Sequence, residues 1–237
     1  MRFSTLSAVL VLASSAIAMP SWPYGRPLVP RGITLDSLAS QMPTSTLPAP
    51  KGLVLKFVGL GVGTQNYTCP GNDDTAVPGT TGALARLYDL GTALNADPMA
   101  KWKISTISAL ALNMKSQSDS KLDQYLVSQR YQTVLGEHFF TASTPTFSLD
   151  KVKADPFPLA FVSKKADMDA PNTACPGTTA EGAIKWLYLT DDGLSKGGVN
   201  TVYRLETAGG NKAATCAGQP LHWEVPYTAQ YWVYGPK

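Results

Sequence analysis

The chain has 237 residues, 20 Lys+Arg against 17 Asp+Glu, and a formal net charge of +3 at neutral pH. Charge is sparse and nearly balanced, and no basic stripe runs through it, which argues against nucleic acid as a partner. Polar content rests on Thr, Ser, Asn and Gly, a composition suited to an extracellular β-protein rather than a cytosolic helical enzyme.

The first element is MRFSTLSAVLVLASSAIA. Arg2 gives a positive start, Leu6 to Ala13 a short apolar core, and Ala16-Ile17-Ala18 a small-x-small cleavage site. Residues 1–18 therefore read as a secretory signal peptide, and the protein is expected to be secreted and extracellular. No stretch reaches the roughly 20 apolar residues of a membrane span. Pro20, Pro23, Pro27 and Pro30 follow closely, and QMPTSTLPAP closes the region. Residues 19–50 read as a Pro-rich leader or linker, with a short helical turn within 33–40, and 51–237 as one well-buried domain.

LVLKFV then leads into GLGVGTQNYTCPG, with Gly59, Gly61 and Gly63 two residues apart. A dinucleotide turn needs strand, G-x-G-x-x-G and then a helix whose N-terminal amides hold the pyrophosphate. This spacing is one residue short, and the β-prone run that follows is stopped by Pro70. No G-K-[ST] follows either, so a phosphate loop is excluded. The expectation is a strand from Leu53 to Val58, a glycine-rich bend, and a second strand from Thr64 to Cys69. No cofactor is implied. Asn66-Tyr67-Thr68 is an N-glycosylation sequon, which would place Asn66 at the surface.

Further along, 81–90 reads as strand or short helix. AKWKISTISALAL (100–112) is ambiguous between the two, and part of 125–140 reads as strand. STPTFSL (143–149), GAIKWLYLT (182–190), NTVYRLET (200–207) and VPYTAQYWVY (225–234) read as strands, the last most strongly. VPGTTGALARLYDL (77–90) is faintly echoed by CPGTTAEGAIKWLYLT (175–190), a recurrent turn into strand. Short strands punctuated by Gly, Pro and Asp predict an all-β fold, a single-domain antiparallel sandwich or barrel with short helical insertions.

Few residues offer chemistry. His222 and Glu224 lie two apart on a strand and so share a face, a possible start for metal ligation or acid–base work. Glu137-His138 could join them in a two-His, two-Glu site. Asp73-Asp74 and Asp191-Asp192 sit beside turn residues and read as turn chemistry. In the last strand, Trp223, Tyr227 and Tyr231 share one face, Trp232 and Tyr234 the other. The expectation is that one set packs in the core while Trp232 and Tyr234 form an exposed stacking platform for sugar rings. No G-x-S-x-G elbow occurs. Cys69, Cys175 and Cys216 are three thiols in an oxidising compartment, so two should pair.

GLGVGTQNYTC, GEHFFTASTPTFSL, GAIKWLYLT, VNTVYRLETAGGNKAATC and VPYTAQYWVY, in that order, resemble a family of secreted fungal and bacterial proteins catalogued as domain of unknown function 3455. Some of its members carry a malate dehydrogenase label, which the glycine spacing argues against here. The resemblance spans about Lys51 to Tyr234 and implies export, a mostly β domain and no established activity. Its cysteine elements match Cys69 and Cys216, implying a disulfide between them; a 69–175 bridge joining the two CPG turns is the rival. The resulting expectation is a wall- or surface-associated glycan-binding module with cell-wall polysaccharide as partner. The alternative is an extracellular hydrolase or metal-dependent enzyme.

Overall fold

The computed structural model describes residues 34–71 and 73–237. The signal peptide and residues 19–33 of the leader lie outside this range. Eight antiparallel strands close into a barrel, each paired with its neighbour in sequence and the last with the first. They are β1 (Val54–Thr68), β2 (Gly79–Asp89), β3 (Val134–Thr141), β4 (Thr144–Ser148), β5 (Leu159–Met168), β6 (Trp186–Asp191), β7 (Thr201–Gly209) and β8 (His222–Gly235). A short α1 (Asp36–Ala39) precedes them. Three helices, α2 (Gly91–Asn95), α3 (Ala100–Gln117) and α4 (Asp119–Gln129), are inserted between β2 and β3. The fold is all-β and antiparallel as expected, and the chain closes as a barrel rather than a sandwich.

Alternation along the strands sorts apolar side chains into two cores. Leu87, Leu135, Phe147, Val202, Tyr227 and Tyr231 belong to one cluster, which fills the barrel lumen. An eight-stranded barrel is just wide enough for side chains to fill it. Val58, Leu60, Tyr203, Trp232 and Tyr234 point outward into a second cluster with Leu38, Ile104, Ile107 and Leu126. The sheet is thus apolar on both faces wherever helices or the N-terminal segment cover it.

The glycine run is not a bend. β1 is one 15-residue strand, and its register irregularities lie at Leu55/Phe57 and Asn66/Tyr67, on either side of the run. Spacing of two is the strand period, so Gly59, Gly61 and Gly63 all face inward. A Cβ at Gly61 would stand 2.5 Å from Tyr231 Cε2, and one at Gly59 would meet Leu135 and Leu87. The missing side chains leave room for the lumen aromatics. The strand continues to Thr68 and is followed by β2, so no helix opens after the glycines as a dinucleotide turn requires.

The ambiguous 100–112 stretch is helix. Ala100, Ile104, Ile107 and Ala111 are buried at spacings of three and four, the helical period. The Ser118 hydroxyl caps α4 by accepting from Lys121 N at 3.2 Å, and Arg130 ends it in a left-handed conformation. Of 125–140, Tyr125–Gln129 ends α4 and Val134–Thr141 is β3. The sequence reading missed β5, whose LAFV start gives way to the charged, half-exposed SKKADM.

Residues 34–50 are not a linker. Leu35, Leu38 and Leu47 are buried in the outer core, and Tyr203 Oη donates to Pro48 O at 2.6 Å. Pro43, Pro48 and Pro50 prevent regular structure without preventing an extended segment from burying its leucines, so the folded unit begins before Lys51. The first aspartate of each acidic pair makes a turn contact. Asp73 Oδ1 accepts from Thr75 N at 2.9 Å, and Asp191 Oδ1 from Ser195 N at 3.0 Å.

A candidate ligand groove at the end of the barrel

The last ladder pair between β7 and β8 is Gly209↔Tyr227, whereas β8 pairs with β1 out to Thr68↔His222. His222–Pro226 therefore extends past β7, and loops fill the vacated side. Gly209 N donates to Cys175 O at 3.0 Å and Asn211 N to Gly182 O at 3.1 Å, which fixes the 175–182 loop against the end of β7. The 211–219 loop is held by the Cys69–Cys216 disulfide and by Lys212 Nζ donating to Pro78 O at 2.6 Å.

Between these loops and β8 lies a groove of about 840 Å³, lined by Thr178, Glu181, Asn211, Gln219, Trp223 and Glu224 among others. Trp223 is half-buried, its ring centroid 5.6 Å from that of Tyr67. Tyr67 is itself fixed, because its hydroxyl donates to Gly210 O at 2.6 Å. Burial pushes the Tyr67 phenol up to about 12, which keeps it a donor at neutral pH. Glu181 Oε2 accepts from Thr179 N at 2.9 Å and from Thr179 Oγ1 at 2.8 Å. Burial raises the Glu181 carboxyl, but these and neighbouring backbone hydrogen bonds outweigh it and hold the group below its ordinary value, ionised. The groove thus combines one aromatic face with carboxylates, amides and hydroxyls.

A second groove, about 810 Å³, runs between the outer face of β1–β2 and the α3–α4 pair, over Val62, Leu84, Leu112 and Leu122. It shares Thr178, Glu224 and Pro226 with the first, so the start of β8 is the ridge between them.

The structure corrects the predicted platform. Trp232 is 0 % and Tyr234 1 % exposed. Trp232 Nε1 donates to Gln230 Oε1 at 3.3 Å, and the Tyr234 hydroxyl donates to Met42 Sδ at 3.1 Å. They face outward from the barrel, but α3 and the 34–50 segment cover that face. The accessible aromatic of β8 is Trp223, which lies on the same side of the strand as the lumen residues Tyr227 and Tyr231 but beyond the last β7 pairing at Gly209↔Tyr227.

His222 and Glu224 are both exposed near the start of β8. Among the described residues, no group of three or more His, Cys, Asp or Glu side chains is placed to hold a metal ion. The four-residue site does not assemble, because His138 is inside the lumen. Its ring stacks on Phe147 at 4.1 Å and 7°, with Nδ1 3.0 Å from Thr146 O. Glu137 and Glu224 both line the second groove. Glu137 aligns through Arg86 and Val62 with Thr228, four residues beyond Glu224. That offset, with three strand spacings, separates the two by roughly 20 Å, too far for a glycosidase pair at about 5–10 Å. Asn66 lies on the outward face of β1, half-buried and paired with Glu224. Its Oδ1 accepts from Thr64 Oγ1 at 3.3 Å. Cys175 is a free, half-buried thiol, so the 69–175 bridge is not formed. Sequence reasoning grouped Trp223 with Tyr227 and Tyr231, opposite the set expected to be exposed, and did not single it out; Asn211, Gln219 and Glu181 sit in loops with no periodic signal.

A buried and a half-buried titrating group give opposite pH dependences. Burial lowers His138 from 6.5 to about 4, only partly offset by its bond to Thr146. On acidification below 6.5 the unfolded state takes up a proton that the folded state refuses, so stability falls toward pH 4, by on the order of 3 kcal/mol. Burial raises Glu206, on a left-handed residue (φ 46) at the β7 bulge, from 4.5 to about 7. Its contribution is intact below 4.5 and is lost as pH rises through 7, by about 1–3 kcal/mol after allowing for its partial exposure. The two slopes oppose each other between 4.5 and 6.5. Urea unfolding across this window should show Glu206→Gln gaining stability as pH rises and His138→Gln losing it. Parallel curves for the two variants would refute both assignments.

No curated protein and no solved structure matches the chain. A family model does, over residues 48–235, from the strap that packs on the barrel to the last residue of β8. That span takes in all eight strands, the disulfide and the Trp223 groove, and the chain belongs to the family described as protein of unknown function (DUF3455).

Proposed function

We propose that this protein is a secreted module that binds a glycan, such as a cell-wall polysaccharide, in the groove at Trp223. The observation that carries the reading is the groove itself. A tryptophan ring braced by Tyr67 stands among Asn211, Gln219, Glu181 and Glu224 in a concavity of about 840 Å³. An aromatic face suits the apolar side of a sugar ring, while amides and carboxylates suit its hydroxyls. Export is supported by the N-terminal signal pattern and by the disulfide, which persists in oxidising compartments. No helix among the described residues is long and apolar enough to cross a membrane. Asn66, outward-facing beside Glu224, is the proposed acceptor of an N-linked glycan.

Polysaccharide pull-down and glycan-array binding of the secreted protein test this reading. Trp223→Ala is expected to weaken retention about tenfold or more, the cost of losing one buried aromatic contact. Trp232 variants would perturb folding rather than contact the ligand. Retention of no wall polymer, or equal retention by Trp223→Ala, would overturn the proposal.

A further inference from the structure

Beyond the last β7 pair at Gly209↔Tyr227, one edge of β8 has no neighbouring strand. The backbone groups on that edge follow from the ladder on the other side. Cys69 N donates to Leu221 O at 3.0 Å, so the Leu221 carbonyl points toward β1. The two ends of a trans peptide point oppositely, which turns the His222 N–H to the vacated side. The β1–β8 register holds without a shift from Thr68↔His222 to Gly63↔Tyr227. The Glu224 N–H, two residues on, therefore points the same way. Pro226, next in that row, has no N–H to donate. No described residue accepts a hydrogen bond from the His222 or Glu224 N–H.

The groove of about 840 Å³ takes in this edge, with Trp223 and Glu224 from β8 and Ala213, Ala214 and Gln219 from the 211–219 loop. Asn211 Oδ1 already accepts from Lys212 N at 3.0 Å, so Gln219 is the freer carboxamide acceptor. The groove thus offers a peptide donor, an amide acceptor, two alanine methyls and an indole face.

We propose that the glycan taken by this groove is built of 2-acetamido sugars. The inference rests on the reading of the groove as a glycan site and names the class of sugar. An acetamido group is a single peptide unit whose C=O and N–H point oppositely. Its carbonyl accepts from the Glu224 N–H, its N–H donates to Gln219 Oε1, and its methyl packs on Ala213 and Ala214 while the ring covers Trp223. A sugar bearing only hydroxyls would leave the alanine methyls facing water. An added peptide strand fits less well, because Pro226 ends the donor row after two N–H groups. Glu181 and Glu224 would favour a free amine over an acetamide, which makes the deacetylated sugar the discriminating competitor.

The test is titration of the full secreted protein with N-acetylglucosamine oligomers, and with glucosamine and glucose oligomers of the same length. The acetylated oligomer should bind about tenfold more tightly than either. Glu224→Pro removes one N–H from the open edge and breaks no bond to β1 or β7, whereas Glu224→Ala keeps that N–H. Affinity for the acetylated oligomer should be about threefold to tenfold lower in Glu224→Pro than in Glu224→Ala. Matching melting temperatures check that both variants fold, and the comparison of oligomers on the parent decides the matter without them. Equal or tighter binding of the glucosamine or glucose oligomer, or equal affinity of the two folded variants, would overturn the acetamido assignment. If Trp223→Ala abolished that binding, the glycan reading of the groove would stand. Binding of no oligomer and no wall polymer would overturn both.

Discussion

Gly63→Ala is expected to destabilise the barrel by about 3 kcal/mol or more, at the upper end of overpacking costs. Gly63 pairs with Ala85 on β2 and Tyr227 on β8. An added Cβ would overlap the carbonyl oxygen of Leu84 and stand 2.6 Å from the Ala85 Cα. Both obstacles are backbone of the adjacent strand, so relief requires β1 and β2 to separate rather than a side chain to rotate. Gly59→Ala is the matched control. Its nearest neighbour would be Leu135 Cδ1 at 3.6 Å, an ordinary contact. That change should lie within about 1 kcal/mol of the parent, because alanine also restricts the unfolded chain. Gly61→Ala should fall between them. Its Cβ meets a side chain, the Tyr231 ring, but one that is fully buried and bonded to the Tyr227 hydroxyl at 2.8 Å. Denaturant unfolding of the three variants reads the order directly. Equal stabilities at positions 59 and 63 would show that the glycines are not there for close packing.

Removing the Cys69–Cys216 disulfide is the second large effect. The bridge spans 147 residues. Loop-closure entropy alone assigns such a crosslink about 5 kcal/mol, and native disulfides deliver about 2–5 kcal/mol. Both cysteines are buried, at 3 % and 5 % exposure, so the double change to alanine is cleaner than either single one, which would leave a free thiol in the core. Guanidinium unfolding of Cys69→Ala/Cys216→Ala should show a loss of about 2–5 kcal/mol. The effect reaches the groove, because Cys216 anchors the loop that carries Asn211 and Gln219 to the end of β1. Under conditions where the double variant remains folded, its retention on polysaccharide should fall with that of Trp223→Ala. A stability change below about 1 kcal/mol would mean that the Cys216 N–Ala76 O bond and the Lys212–Pro78 bond hold the loop unaided.

The groove gives the fold a functional logic. β1 and β8 are the longest strands, at 15 and 14 residues, and their shared end outruns β7. A barrel whose strands matched in length would leave no ledge there. The lumen is occupied by Tyr227, Tyr231, His138 and Phe147 in mutual contact, which is why the proposed ligand site is at the rim rather than in the interior.

The strands most legible in the sequence were β4 and β7, read from alternation in STPTFSL and NTVYRLET, a period of two that follows from the pleat alone, and β8, read from its β-branched and aromatic residues. The turn roles of Asp73 and Asp191 were legible for the same reason, since an Asx turn is made by residues two to four apart. The glycines at 59, 61 and 63 also carried that period. They were read as a bend because the sequence does not contain Tyr231 beside them; only closure of β8 on β1 supplies the ring they accommodate. The 100–112 stretch stayed ambiguous because β-branched residues sit at helical spacing, and its packing onto Thr228 and Gln230, 120 and 126 residues away, decided for helix. Alternation showed that β8 is aromatic on both faces, but not which face meets solvent. α3 and the leucines of 34–50 bury Trp232 and Tyr234, while the absence of β7 beyond Gly209 leaves Trp223 accessible. The sequence by itself determined the strand periodicity, the local turns and the export signal pattern, because each is set by neighbours along the chain. Tertiary structure alone decided barrel closure, the covered outer face and the groove, because each depends on residues brought together from more than a hundred positions apart.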